Sequence, residues 1–347
     1  MNNIVVRDFP SPLERSVLET LAYFDVFDFP VCQPDLHRYL HCMPVTTADL
    51  PDALHSLLAS GRIEFQGGYY VLAGRRPLID LYEAGADQHV RRLHLAIQYG
   101  RLLALLPFIR MVAVTGSVAM QNGGVGADYD YLLVTQAGRL WLGRAFAVLL
   151  GRWASLQGHT LCPNIILSEG SLIWPRQDLY TAHELMQMIP VSGFRMYQRL
   201  RALNGWAGAY LPNAEGSPSP DTSDPRSGGP SQRLVEAILR TRIGAVLERL
   251  EMQRKIARFR RQPGFGIETD FSADVCRGNF QNHGGQTRQA FEHRLAALGL
   301  VPATSLASSD SLMDPPAVAP RRSAFTPPNT SARPTRSAGQ NRAVTNG

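Results

Sequence analysis

Lysine is almost missing from this chain. Lys255 is the sole lysine among 35 basic residues, so the net charge of +6 rests on arginine and reflects compositional preference more than a nucleic-acid surface. Residues 301–347 hold five arginines against two aspartates and supply +3 of that excess, which leaves the remainder only mildly basic. Cysteine is scarce as well. Cys32, Cys42, Cys162 and Cys276 lie far apart with no CxxC pair, which argues for reduced thiols rather than a disulfide framework. Long apolar runs are absent: LWLGRAFAVLL at 140–150 is too short for a bilayer and contains Arg144. The start, MNNIVVRDFP, has no charged segment leading into an apolar one, so no signal peptide is expected. The expectation is a soluble, cytoplasmic protein with no membrane partner.

What is present is enough apolar residue, 44% of the chain, to build a core at least through residue 212. Residues 13–27 have helical spacing and stop at Asp28-Phe29-Pro30. A second helix fits 33–41, and a third follows Thr46-Thr47, which offer N-caps. RIEFQGGYYVLAG then reads as a hairpin about Gly67-Gly68. Three helices and a hairpin predict a small winged-helix-like domain over 1–80. Its third helix carries Asp49, Asp52 and His55 with no basic residue before Arg62, so packing or protein contact suits it better than DNA.

Over 81–212, helices at about 85–106, 138–156 and 178–190 alternate with the strands MVAVTGS, DYDYLLVT and CPNIILS. The pattern predicts an α/β (α+β) domain with a mixed sheet and flanking helices. A Pro/Ser/Gly linker is expected at 213–231, a helix at 232–260 within a mixed extension to 300, and a disordered tail at 301–347, where large apolar residues are few.

The chemistry concentrates in VAVTGSVAMQNGGVGADYDYLLVT at 112–135. Side chains alternate along a strand, so Asp128 and Asp130 point to one face, where two carboxylates repel unless a cation joins them. Magnesium takes carboxylate oxygens together with phosphate oxygens and water. Gly116 permits close backbone approach, and Ser117 opens a helix whose free amides attract phosphate. A Walker A loop, a dinucleotide fingerprint and a nucleophile elbow are each excluded by their missing residues.

Gly116-Ser117, ten intervening residues, then Asp128-x-Asp130 running into a hydrophobic strand resembles the nucleotidyltransferase superfamily that includes DNA polymerase beta and the minimal nucleotidyltransferases. YFDVFDFP at 23–30 and RMVAVTGSVAMQN at 110–122 are similar to bacterial proteins that join a winged helix to such a domain. The resemblance covers roughly 13–210. It implies transfer of a nucleoside monophosphate from a Mg-NTP, ATP foremost, to an unidentified acceptor hydroxyl with release of pyrophosphate. Asp128 and Asp130 then hold one or two Mg2+ ions, and Gly116 and Ser117 hold the phosphates. The family adds a third carboxylate on a later strand; the matching position here carries Asn164, with Glu169 just beyond it. Asn122-Gly123-Gly124 stand where many relatives are basic. The alternative is a catalytically degenerate nucleotide-binding protein or a winged-helix interaction protein, with nucleic acid weakly supported.

Other residues have plainer readings. Cys32, His37, His41 and Cys42 lack a second ligand pair at zinc-finger spacing. Trp141 and Trp153 are expected in the core. Asp178, Tyr180, His183 and Glu184 open a helix, where capping is the first reading and contact with a base or acceptor the second. Arg91, Arg92 and Arg101 form a solvated helix face, with a grip on triphosphate as the lesser reading.

Overall fold

The computed structural model describes residues 10–122, 126–218 and 229–300. The linker's middle and the segment 301–347, where the tail is expected, lie outside them. The N-terminal part runs α1 (Pro12–Asp25), β1 (Val31–Cys32), α2 (Gln33–Arg38), α3 (Leu50–Ala59), β2 (Ile63–Gln66) and β3 (Tyr69–Leu72). Helix α1 starts where a capping box closes: Ser11 N–H donates to Glu14 Oε2 at 2.6 Å, Glu14 N–H donates to Ser11 Oγ at 3.3 Å, and Pro12 occupies the first turn. The expected cap of α3 differs, because Thr46 spends its hydroxyl and amide on Asp49 Oδ2, at 2.8 and 2.7 Å. Strands β2 and β3 turn through Gly67 and Gly68, with φ of +58° and +92°, a two-residue turn that glycine makes without strain. All three strands are antiparallel in the order β1-β3-β2.

The next run is α4 (Pro77–Ala84), α5 (Ala86–Ala104), β4 (Ile109–Thr115), α6 (Gly116–Ala119), β5 (Tyr129–Thr135), α7 (Leu140–Ser155), β6 (Leu161–Ser168), α8 (Leu179–Gln187), β7 (Ile189–Ser192), α9 (Phe194–Leu203) and α10 (Ala207–Tyr210). Last come α11 (Pro230–Leu239), α12 (Arg242–Phe259), β8 (Glu268–Phe271), β9 (Val275–Asn279) and α13 (His283–Ala297). The helix expected over 232–260 is therefore two helices, and the first turn of α12 packs so tightly on α11 that a Cβ at Gly244 would meet Leu239 O at 1.8 Å.

The large sheet has the order β7-β4-β5-β6-β9-β8, with β5 and β6 parallel and every other pair antiparallel. Two of its strands thus come from the C-terminal extension. Alternation along β5 divides the core: Tyr131 and Leu133 join α5 and α7 on one face, while Leu132 and Val134 join α1, α8, α10 and α13 on the other. Asp130 shares the second face by parity. Trp141 is fully buried as expected, but Trp153 is 49% exposed, because it lies on the α7 face turned away from the sheet. Among the described residues no helix is long and apolar enough to cross a membrane.

Candidate functional site

The Gly-Ser corner and the second aspartate come together through strand register. Thr115 on β4 pairs with Asp130 on β5, so Gly116, the next residue, lies against the Asp130 side chain. A Cβ on Gly116 would sit 2.6 Å from Asp130 Oδ2, and Gly116 has φ +67°. Glycine is required here twice over, for the left-handed backbone and for the approach of a carboxylate. Ser117 is exposed beside it in α6, a helix of only four residues, so the helix-end field expected there is that of a single turn.

The two aspartates are not equivalent. Strand β5 begins at Tyr129, whose N–H donates to Thr160 O at 2.9 Å, so Asp128 stands just outside the ladder and is exposed. Asp130 is half-buried. Burial and, next, the Asp128 charge raise its carboxyl to about 6, while the Cys162 thiol donates a hydrogen bond that opposes the shift. The same neighbours, after burial, push the Cys162 thiol up to about 12. Neither aspartate joins any ion pair among the described residues. The loop before Asp128 is tied down by Arg92, which donates to Ala127 O and stacks on the Tyr129 ring at 5.3 Å. Arg92, expected on a solvated helix face, holds this loop instead.

On β6 the residue opposite Asp130 is Cys162, not Asn164. Register runs Asp130↔Cys162, Tyr131↔Pro163, Leu132↔Ile165, which leaves Asn164 as the extra residue of a bulge. Glu169 lies past the other end of the strand: its N–H donates to Thr135 O at 2.9 Å and its carboxylate accepts from Ala137 N–H at 3.2 Å. Five residues of strand separate Thr135 from Asp130, about 16 Å, so Glu169 is not brought to the corner.

The corner opens into a cavity of about 460 Å³, a volume typical of small-molecule sites. Gly116, Ser117, Asn122 and Asp130 form one wall; the end of α1 and its following turn, α8 and the start of α13 form the others. Among the described residues that line it, none is arginine or lysine, and the carboxylates are Asp130 and Glu184. Burial raises Glu184 to about 7, against the nearby Arg277 charge and a hydrogen bond from Tyr180. Asp178 caps α8 as expected, accepting from Thr181 N–H at 2.8 Å, whereas Tyr180, His183 and Glu184 face the cavity. Capping and lining thus divide between residues of the first two turns of α8.

A buried histidine pair backs this wall. His41 and His183 meet Nε2 to Nε2 at 3.0 Å, and Gln187 Nε2 lies 2.9 Å from His183 Nδ1. Burial drives His41 down to about 3 and His183 well below its ordinary value, so both stay neutral. His41 is thus bound to His183 rather than grouped with Cys32, whose thiol donates to Asp35 at 3.2 Å. Among the described residues no group of three or more His, Cys, Asp or Glu is placed to hold a metal. A cation at Asp128 and Asp130 therefore has two protein carboxylates and must complete its shell from water or ligand oxygens, which suits magnesium. No protein-family model, curated protein or solved structure matches this chain.

Proposed function

We propose that the chain is a metal-dependent nucleotidyltransferase that moves a nucleoside monophosphate from Mg-NTP, ATP foremost, to an acceptor hydroxyl. The observation that carries this reading is the Asp130 carboxylate, pressed against Gly116 and beside Asp128, with no basic side chain among the residues that line its cavity. A phosphate entering beside Asp130 and Glu184 is favoured by an accompanying cation, which Asp130, with the exposed Asp128 at the cavity's edge, would hold. Magnesium, when bound, offsets charge on the phosphates and aligns the attacking and leaving oxygens.

The protein's own groups divide the remaining work. Asp128 and Asp130 position and charge-balance the metal–phosphate end, and Gly116 keeps the backbone out of its way. Ser117 offers an exposed hydroxyl to a phosphate oxygen. Glu184 faces the same cavity and is the carboxylate placed to take the acceptor proton at an Oε atom, its affinity for that proton tuned near neutrality. The order α1-β1-α2-α3-β2-β3 over 12–72 supports a winged-helix-like reading of that segment. The exposed side chains of α3 include Asp52 and His55, so this segment serves as a packing wall and contact surface rather than a reader of DNA.

A second reading has its own support: the residue opposite Asp130 on β6 is Cys162, not a carboxylate, which suits a nucleotide-binding protein without turnover. Incubation with α-labelled NTPs and candidate RNA, protein, sugar and small-molecule acceptors separates the two. Magnesium-dependent label transfer that vanishes in Asp130→Asn supports the enzyme; tight Mg-NTP binding with no transfer to any acceptor class supports the binder.

A further inference from the structure

YFDVFDFP at 23–30 closes α1 and builds the aromatic wall of the cavity with Tyr23, Phe24, Phe27 and Phe29. Three of these rings are buried, but Phe27 is 41% exposed. Its outward pose is enforced. Asp25 accepts from Arg75 Nε at 2.6 Å and from Arg294 Nε on α13 at 2.9 Å, and Arg75 also grips Asp28. Asp28 has φ +51°, and the turn closes with Phe27 N–H and Phe29 N–H donating to Phe24 O at 3.0 and 3.2 Å. Behind Phe27 the rings pack in series: Phe27 is tilted by 59° against Tyr23 at 5.5 Å between centroids, and Tyr23 stacks on His183 at 4.0 Å and 12°. Asn122, a few residues after the Gly116-Ser117 turn, donates through Nδ2 to Phe27 O at 2.8 Å and ties the Phe27 backbone to that corner.

We propose that Phe27 is the stacking platform for the nucleobase of a nucleotide whose phosphates lie at the Gly116–Asp130 corner. The inference rests on the nucleotidyltransferase reading and sharpens it: the ligand is a nucleoside triphosphate recognised at both ends, not a bare polyphosphate. A face-on ring binds any base, so Phe27 supplies affinity without base choice. It also gives the N-terminal segment a role in the site, since all four rings of that wall come from α1 and the turn after it.

Isothermal titration with Mg-ATP and with Mg-tripolyphosphate, on wild type, Phe27→Ala, Phe27→Trp and Asp128→Ala/Asp130→Ala, tests this. Losing base–aromatic stacking weakens binding by roughly five- to a hundredfold. That loss is expected for Phe27→Ala with Mg-ATP alone; its Mg-tripolyphosphate affinity stays at the wild-type value, and Phe27→Trp keeps both. The double aspartate variant loses both ligands. Equal Mg-ATP affinity in Phe27→Ala and wild type overturns the stacking role while leaving the metal–phosphate site intact. Absence of binding by either ligand to wild type overturns the nucleotide reading itself and this inference with it. Thermal denaturation of Phe27→Ala at the wild-type midpoint shows that the exposed ring is not needed for folding.

Discussion

Two groups of carboxylates in this protein are neutralised in opposite ways. Asp178 and Glu268, with side chains 9% and 7% exposed, share Arg176 at 2.5 Å each. Glu268 also accepts the amides of Gly284 and Gly285 at 3.0 and 3.1 Å. Asp25 and Glu236 are buried to the same degree and are likewise held by arginines. Asp130 has instead a second acid and a thiol. Under the proposed function, the cation that balances Asp130 comes with the ligand. The lesson is that acidity alone does not mark function; the counter-charge does.

Breaking the compensated cluster has the largest expected effect. Arg176→Ala leaves two buried acids facing each other and lowers stability by about 3 kcal/mol, read from urea denaturation midpoints. Asp130→Asn has the opposite sign. It removes a charge that burial and Asp128 disfavour, so the ligand-free protein gains about 1–2 kcal/mol after allowance for partial solvent exposure. A loss of stability in Asp130→Asn would mean that an unseen partner already balances this carboxylate.

The histidine pair sharpens the comparison as a third solution, in which polar groups stay uncharged. The folded value of His41 lies below its ordinary 6.5, so the unfolded chain takes up the proton first. Stability from His41 is full above pH 6.5 and falls as the pH drops below it, by about 2 kcal/mol at pH 5, and His183 acts in the same direction. Glu184, raised to about 7, works in the reverse sense between pH 4.5 and 7, so the readout is a difference in slope. Denaturation between pH 6.5 and 5 is expected to show a stronger loss of stability with acid in wild type than in His41→Gln; parallel profiles count against neutral burial. The smallest effect belongs to Cys162→Ala, which removes one hydrogen bond to Asp130 and shifts stability by about 1 kcal/mol or less.

The Gly-Ser corner and its aspartates were legible in the sequence because strand pairing fixes them locally: a short excursion between β4 and β5 must return Asp130 beside Thr115. Parity of the strand likewise placed Asp130 on the cavity face, whereas Asp128, expected on the same strand face, lies before the strand and is exposed. What opposes that face was not legible. Phe27 and the rings beside it arrive from some 90 residues earlier, and the sequence pattern of α1 marks it only as a buried helix. The β6 bulge also escaped, since a single extra residue exchanges Asn164 for Cys162 beside Asp130 and no local signal announces it. Arg92 read as solvated because a helix face alone does not reveal a carbonyl waiting at its end. The break between α11 and α12 was hidden by continuous helical propensity across 240–241.

The most direct measurement is titration calorimetry of the wild-type protein with ATP, with and without Mg2+, beside the Asp128→Ala/Asp130→Ala variant. The expected result is binding that requires Mg2+ and disappears in the variant. Equal heats for wild type and variant, or binding of ATP without a divalent cation, would contradict a site whose acids are balanced by a metal–nucleotide.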